Sequence, residues 1–303
     1  MATSAPNSKT CVVTVTFYPD TTDIRYNLAL QLCRLAHKTQ THLVIVDGSP
    51  SSTVREEFTN LGNGYVHVFA QDASRYLGKG GAMRQAIQHA TITLMNLNND
   101  YEDDDSRGEK QKSILNQCAI CFTEPEKVDL LNHISKICQP LLAKQTEVVV
   151  PFREATLFRQ TYPIEQYHSE SFASLHFNSL AKKYPGFRNN IGCGGVIDWH
   201  FGPFAFRGDL AYKWLEYEGN SWDAQFNPFV QGVKTDGWRV LSVEVEFKLP
   251  REMKEQEEGR KEWTGKRLYQ LNVLFDLLGK ELGDDESGSY VPKNIVRNEV
   301  TGG

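Results

Sequence analysis

No apolar run in the sequence approaches the length needed to span a bilayer, which excludes a helical membrane protein. Positive charge is not in excess either. Thirty-three Lys and Arg stand against 38 Asp and Glu, a formal net charge of −5. A mildly acidic chain has no general attraction to a phosphate backbone or an anionic membrane, so binding to nucleic acid is not expected. Cysteine is scarce, at 6 residues in 303. Cys118 and Cys121 have CxxC spacing but fall in an expected strand, where they point to opposite faces, and no second CxxC completes a zinc site. The thiols read as buried residues of a reducing compartment. Residues 1–9 lack the apolar stretch of a signal peptide, and the expected location is cytoplasmic.

What remains is an ordinary globular composition, 40% hydrophobic and 23% charged, in a chain long enough to bury a core without staples. Short β-branched runs at 11–17, 42–46, 65–69, 117–122 and 147–150 read as strands. Between them, apolar spacing predicts helices over 23–38, 53–61, 82–97 and 128–142. Strands without polar alternation, separated by helices, predict an α/β fold with a mostly parallel sheet covered on both sides. The acidic stretch 98–112 reads as a solvated loop. After residue 152 the texture changes to more aromatics and glycine, with helices expected at 169–183, 210–216 and 268–282, a strand at 239–247 and a charge run at 252–262. The expected organisation is a disordered tail (1–10), a first half (11–152), a second half with a closing helix (153–282), which the strand ends and resemblance below read as nucleotide-sugar-binding and acceptor-binding halves, and a flexible tail (283–303).

In open α/β sheets, ligands sit beyond the carboxyl ends of the strands. Four such ends carry suggestive residues. Phe17 and Tyr18 follow the first strand. Asp47 follows the second directly, where it can accept from a ribose hydroxyl or a base, or simply make an Asx turn. Gly78, Lys79 and Gly80 open a helix, where glycine allows close approach and the helix end favours an anion. Glu124-Pro125-Glu126 follows the fourth strand and can hold a divalent ion bridging two phosphates. Thr123 and Glu126 also have capping-box spacing. Arg153, at a strand end, is placed to meet an anionic acceptor. The 162–168 stretch, Asn189 and Asn190 are candidate borders of the acceptor pocket, and His200 is a candidate ligand or base.

The order of these elements resembles the nucleotide-sugar glycosyltransferases of the A-type fold, especially the family-2-like and mannosylglycerate-synthase-like groups. Tyr18, Asp47, Lys79 and Glu124-Pro125-Glu126 match, in order, the family's nucleoside-holding strand end and Asp, its helix start and its metal-binding Asp-x-Asp. Gly202 to Arg207 looks like the family's acceptor-side strand, and Trp222-Asp223 falls where the family places its acidic element. The resemblance spans residues 11–250 and implies transfer of a sugar from a UDP- or GDP-linked donor to a small soluble acceptor. In that reading Asp223 activates the acceptor, and Mn2+ or Mg2+ on Glu124 and Glu126 supports the leaving group together with Lys79. The sequence departs from the pattern in having Glu-x-Glu, an intervening Pro125 and no histidine after His200. Lys254 or Arg251 therefore stands as a metal-free alternative. A nucleotidyltransferase and an inactive nucleotide-sugar-binding regulator are the competing functions.

Overall fold

The computed structural model describes residues 8–98, 107–192 and 196–283. The first half alternates strand and helix: β1 (Thr10–Thr16), α1 (Ile24–Thr39), β2 (His42–Asp47), α2 (Ser52–Gly62), β3 (Val66–Ala70), α3 (Gly78–Asn98), α4 (Arg107–Leu115), β4 (Ala119–Phe122) and α5 (Ile134–Leu142). Local chemistry fixes several starts. Asp23 accepts the Arg25 amide at 2.8 Å ahead of α1, and Ser51 accepts that of Thr53 at 3.2 Å ahead of α2. The second half is less regular: β5 (Val148–Arg153), α6 (Ala155–Thr161), α7 (Ile164–Ala181), α8 (Pro185–Gly192), β6 (Phe204–Arg207), α9 (Tyr212–Leu215), α10 (Asp223–Asp236), β7 (Val240–Val245), α11 (Arg251–Glu257) and α12 (Lys261–Leu282).

All seven strands form one sheet in the order β3-β2-β1-β4-β6-β5-β7. β6 runs antiparallel to both of its neighbours, while the other adjacent pairs are parallel. Strand residues alternate between two cores. Val13, Val44, Ile120 and Phe122 face α3 and the aromatic cluster around Trp199 and Trp214, while Val12, Leu43, Ile45 and Cys121 face the side of α1, α2 and α5. Cys118 and Cys121 accordingly lie in opposite cores, and Cys11, Cys33, Cys118, Cys121 and Cys138 are all free, buried thiols. Cys193 lies outside the described residues. The sheet passes through residue 152 without interruption, because β5 and β7 extend the same layer as β1 and β4.

Three expectations need correction. The acidic stretch carries α4 over its second part; residues 99–106 lie outside the described residues. The helix expected over 128–142 opens as a 3-10 turn over Val128–His133 before α5, and no capping box forms, because Thr123 instead donates its amide to Val13 within the sheet. Helices α6, α8 and α10 carry no clean apolar stripe and were not expected. α10 contains Pro228, and its buried face includes Gln225 and Asn227. Among the described residues no helix is long and apolar enough to cross a membrane.

Candidate functional site

The strand order reverses direction between β1 and β4, the position where open α/β sheets leave a crevice at their carboxyl edge. There a cleft of about 740 Å³ opens. Its floor is built by Phe17 and Tyr18 after β1, Gly48 after β2, Gln71 after β3, Gly78 and Lys79 at the start of α3, and Glu124 to Lys127 after β4. Its roof comes from the second half, through Tyr162, Gln166, Glu170, His200, Trp222 and the α11–α12 residues Met253, Glu257, Trp263, Lys266 and Arg267.

Glu124 is the electrostatic centre of the floor. One carboxylate oxygen meets Lys79 Nζ at 3.0 Å and the other bonds Lys127 Nζ. Burial opposes the charge, but the two ammonium groups outweigh it and hold the Glu124 carboxyl well below the usual carboxylate range. Glu124 and Gly202 are in contact: a Cβ on Gly202 would stand 3.1 Å from the carboxylate, and its φ of +95° is one that L side chains rarely adopt. Glu126 lines the cleft without an ion pair or hydrogen bond to any described residue. On the roof, Glu257 is shared by Arg25 at 2.7 Å and Arg267 at 2.9 Å.

A side pocket of about 60 Å³ adjoins the cleft, sharing with it Glu124, Glu170, His200, Trp222 and Arg267. Among its lining residues, Trp199 Nε1, His200 Nε2 and Gln225 Nε2 are buried without a hydrogen-bond partner, while Glu170 Oε2 and Arg267 Nη1 have only ion pairs. Buried polar atoms are normally paired, so this pocket is shaped for a polar guest or ordered water. His200 keeps its other nitrogen 3.2 Å from Ser174 Oγ. Burial pulls its pKa down to about 4 despite Asp198 nearby, so the imidazole is neutral at pH 7.

Of the residues picked from sequence, Phe17, Tyr18, Gly78, Lys79, Glu124, Glu126, His200 and Trp222 meet in the cleft, and Gly202 lines the side pocket. The others stand elsewhere. Asp47 is buried, with its carboxylate taken by Thr16 Oγ1 at 2.8 Å, Ser49 Oγ at 2.6 Å and Arg55 Nη1 at 3.1 Å. Ser49 Oγ in turn accepts the Tyr18 amide at 2.8 Å, so Asp47 organises the strand ends that carry cleft residues. Gly80 serves close packing: its amide donates to Asn220 O, and a Cβ would stand 2.5 Å from Gly219 O. Arg153 is enclosed, chelated by Asp198 at 2.7 and 2.8 Å, paired with Glu170 at 2.9 Å and stacked on Phe158 at 3.5 Å. Arg207 ends β6 and pairs with Asp209 and Glu147. Because β6 is antiparallel, Gly202 before its start lies at the cleft while Arg207, five residues on and about 16 Å away at about 3.3 Å per extended residue, pairs with the first residue of β4.

Asp223 begins α10, where it accepts the Ser221 amide at 3.0 Å and the Tyr217 hydroxyl at 2.9 Å, a helix-start role outside the cleft lining. Lys254 points its ammonium at Gln160 O, 3.0 Å away, and Arg251 pairs with Glu255 at 2.6 Å; neither lines the cleft. The side chains of Asn189 and Asn190 lie outside the described residues. Arg25, Lys127, Trp263, Lys266 and Arg267 line the cleft and were not anticipated. Lys127 adjoins a motif that was noticed, whereas the α12 residues lie in a charged segment with no motif.

Glu124 and Glu126, the carboxylates read as candidate metal ligands, both line the cleft. Both Glu124 oxygens are committed to lysines, and among the described residues no group of three or more His, Cys, Asp or Glu could hold an ion.

This topology and crevice define an α/β fold of the A-type glycosyltransferase kind, with a largely parallel mixed sheet flanked by helices. Among solved structures, glucosyl-3-phosphoglycerate synthase from Mycobacterium tuberculosis, in complex with Mn2+, UDP and phosphoglyceric acid, is similar over 92% of this chain and 80% of its own, with a TM-score of 0.51 and 12% identity. Mannosyl-3-phosphoglycerate synthase from Rubrobacter xylanophilus is similar over 93% of this chain and 77% of its own, with a TM-score of 0.50 and 11% identity. At such identities the likeness concerns the fold. No protein-family model matches the sequence, and no curated protein matches it.

Proposed function

We propose that this chain is a transferase that takes a sugar from a nucleoside diphosphate sugar and passes it to a soluble acceptor. The observation that carries the reading is the Lys79–Glu124–Lys127 cluster at the strand-reversal crevice, a cationic floor where a diphosphate leaving group needs one. The exposed ring of Phe17, beside Gly48 and Gln71, suits a nucleobase face. The adjoining side pocket, with its unpartnered indole, imidazole and amide nitrogens, suits sugar hydroxyls.

In the reaction, the bond between the anomeric carbon and the β-phosphate oxygen breaks as the acceptor hydroxyl bonds to that carbon. Charge grows on the departing phosphate oxygen, and the ammonium groups stabilise it. Glu126, with no hydrogen bond or close ion pair among the described residues, is the available carboxylate to take the acceptor proton. The synthases that share the fold suggest an acidic acceptor for this chain too, and Arg267 and Lys266 offer the charge for one. A thermal-shift panel of UDP- and GDP-sugars tests the reading. Saturating donor should raise Tm, since it binds only the folded chain, and no shift with any of them counts against it.

A further inference from the structure

Placing a diphosphate beside Glu124 and Glu126 requires positive charge, since like charges within the cleft repel strongly. The cleft has that charge built in. Glu124 is divided between two cations, Lys79 and Lys127, so that trio carries one net positive charge. Glu257 is likewise divided between Arg25 and Arg267, but these also meet Asp23 at 3.8 Å and Glu165 at 3.6 Å, so the roof group adds cations without a surplus of charge. Lys266 adds a fifth cation, and it makes no ion pair with any described carboxylate. Its ammonium sits 4.4 Å from the centre of the Trp263 ring, over which the Arg25 guanidinium also lies at 4.4 Å. Lys266 as a residue is exposed at the rim, yet its ammonium end is crowded; that crowding, with Arg25 beside it, lowers its pKa. A crowded, unpaired ammonium gains stability from an incoming anion. Of the floor carboxylates, Glu124 has both oxygens engaged and Glu126 stands alone, and among the described residues no group of three or more His, Cys, Asp or Glu could hold an ion.

We propose that the cleft neutralises its diphosphate with side chains alone, Lys79 and Lys127 from the floor and Lys266 from α12 acting where a divalent ion would, so that it binds nucleoside diphosphates without metal. This rests on the nucleotide-sugar reading above. Glu124 then positions two ammonium groups, with its carboxylate held rigidly between them. A positioned pair of cations on a folded scaffold supplies charge at no cost of reorganisation during the reaction.

The test is calorimetric titration of the metal-stripped full chain with UDP, GDP and inorganic pyrophosphate in excess EDTA, repeated with Mn2+ or Mg2+. Affinity for the nucleoside diphosphate in EDTA should lie within about threefold of that with metal, and should fall as salt rises. Lys127→Ala and Lys266→Ala should each weaken it about ten- to a hundredfold, the span expected for a charge-assisted hydrogen bond. Lys266 stands at the rim, so its variant keeps the test valid if the buried Lys127 variant misfolds. Glu126→Gln should tighten binding about threefold by removing a repulsive charge, whereas a metal ligand lost at this position would weaken it. Binding that appears only with metal, or that Glu126→Gln abolishes, overturns the inference and leaves the nucleotide-sugar reading intact. Pyrophosphate binding in EDTA without binding of any nucleoside diphosphate supports the cation site and sinks the nucleotide reading. No binding of any of these anions under either condition overturns both.

Discussion

Replacing Arg153 by Met separates a structural role for this residue from the acceptor-binding role that its place in the sequence suggests. The residue is 4% exposed, its guanidinium held bidentately by Asp198 and singly by Glu170 and flanked by the rings of Phe158 and Tyr162. Met keeps most of the volume but leaves two buried carboxylates facing each other without a cation. Removing one partner of a buried ion cluster costs about 3–5 kcal/mol, roughly 5–8 °C in Tm for a chain of this size. Burial already raises the Glu170 carboxyl above its usual range against the pull of Arg153, with Asp198 adding to the rise. Without Arg153 the Glu170 carboxyl rises further, and the Asp198 carboxyl, which Arg153 helps hold below its usual range against burial, rises too. A raised carboxyl binds more protons folded than unfolded as pH falls, so the deficit at pH 7 should shrink on going to pH 5. Arg153→Lys should recover little, because lysine cannot reproduce the bidentate fork. Thermal unfolding followed by circular dichroism at both pH values measures this. A variant with wild-type Tm and only a raised KM for acceptor would refute the reasoning and return Arg153 to the acceptor.

Asp47→Ala should cost about 2–4 kcal/mol, because it strips a buried carboxylate from three donors and leaves Arg55 without its counter-charge. The urea midpoint should fall, and an unchanged midpoint with lost donor affinity would make Asp47 a ligand instead. His200 is neutral in the folded chain, with its pKa pulled from 6.5 to about 4. Below pH 6.5 the unfolded chain therefore takes up the proton first, and stability falls as pH drops towards 4, by about 3 kcal/mol at the limit. His200→Gln should flatten that part of the stability–pH curve, and a curve of unchanged slope would show that the histidine is not held neutral.

Much of the architecture was legible because periodicity and burial coincide in the first half. The runs at β1, β2 and β4 are apolar on both faces, so the parallel, doubly covered sheet could be read directly. Site residues that follow such strands, Phe17, Tyr18, Glu124 and Glu126, could be placed at one edge by topology alone. Side-chain commitments could not. Asp47 and Arg153 have the residue types and positions of ligands, yet local donors and carboxylates claim them first. The antiparallel turn of β6 was also hidden, since four residues give no directional signal, and it carries Arg207 to the far edge. The roof was missed for a different reason. Trp263, Lys266 and Arg267 are brought to the cleft by the packing of α12 on α7 and α10, a long-range contact that leaves no local pattern.

The most direct measurement of the central claim is the identity of the small product released. Purified chain is incubated with UDP- or GDP-sugars and a panel of small acids, sugars and alcohols, and products are followed by mass spectrometry and nucleotide chromatography. The account predicts release of UDP or GDP matched one to one by a glycosylated acceptor, and loss of both in Lys79→Ala. Formation of a nucleotide sugar from a nucleoside triphosphate and a sugar phosphate, with pyrophosphate released and no nucleoside diphosphate, would contradict it.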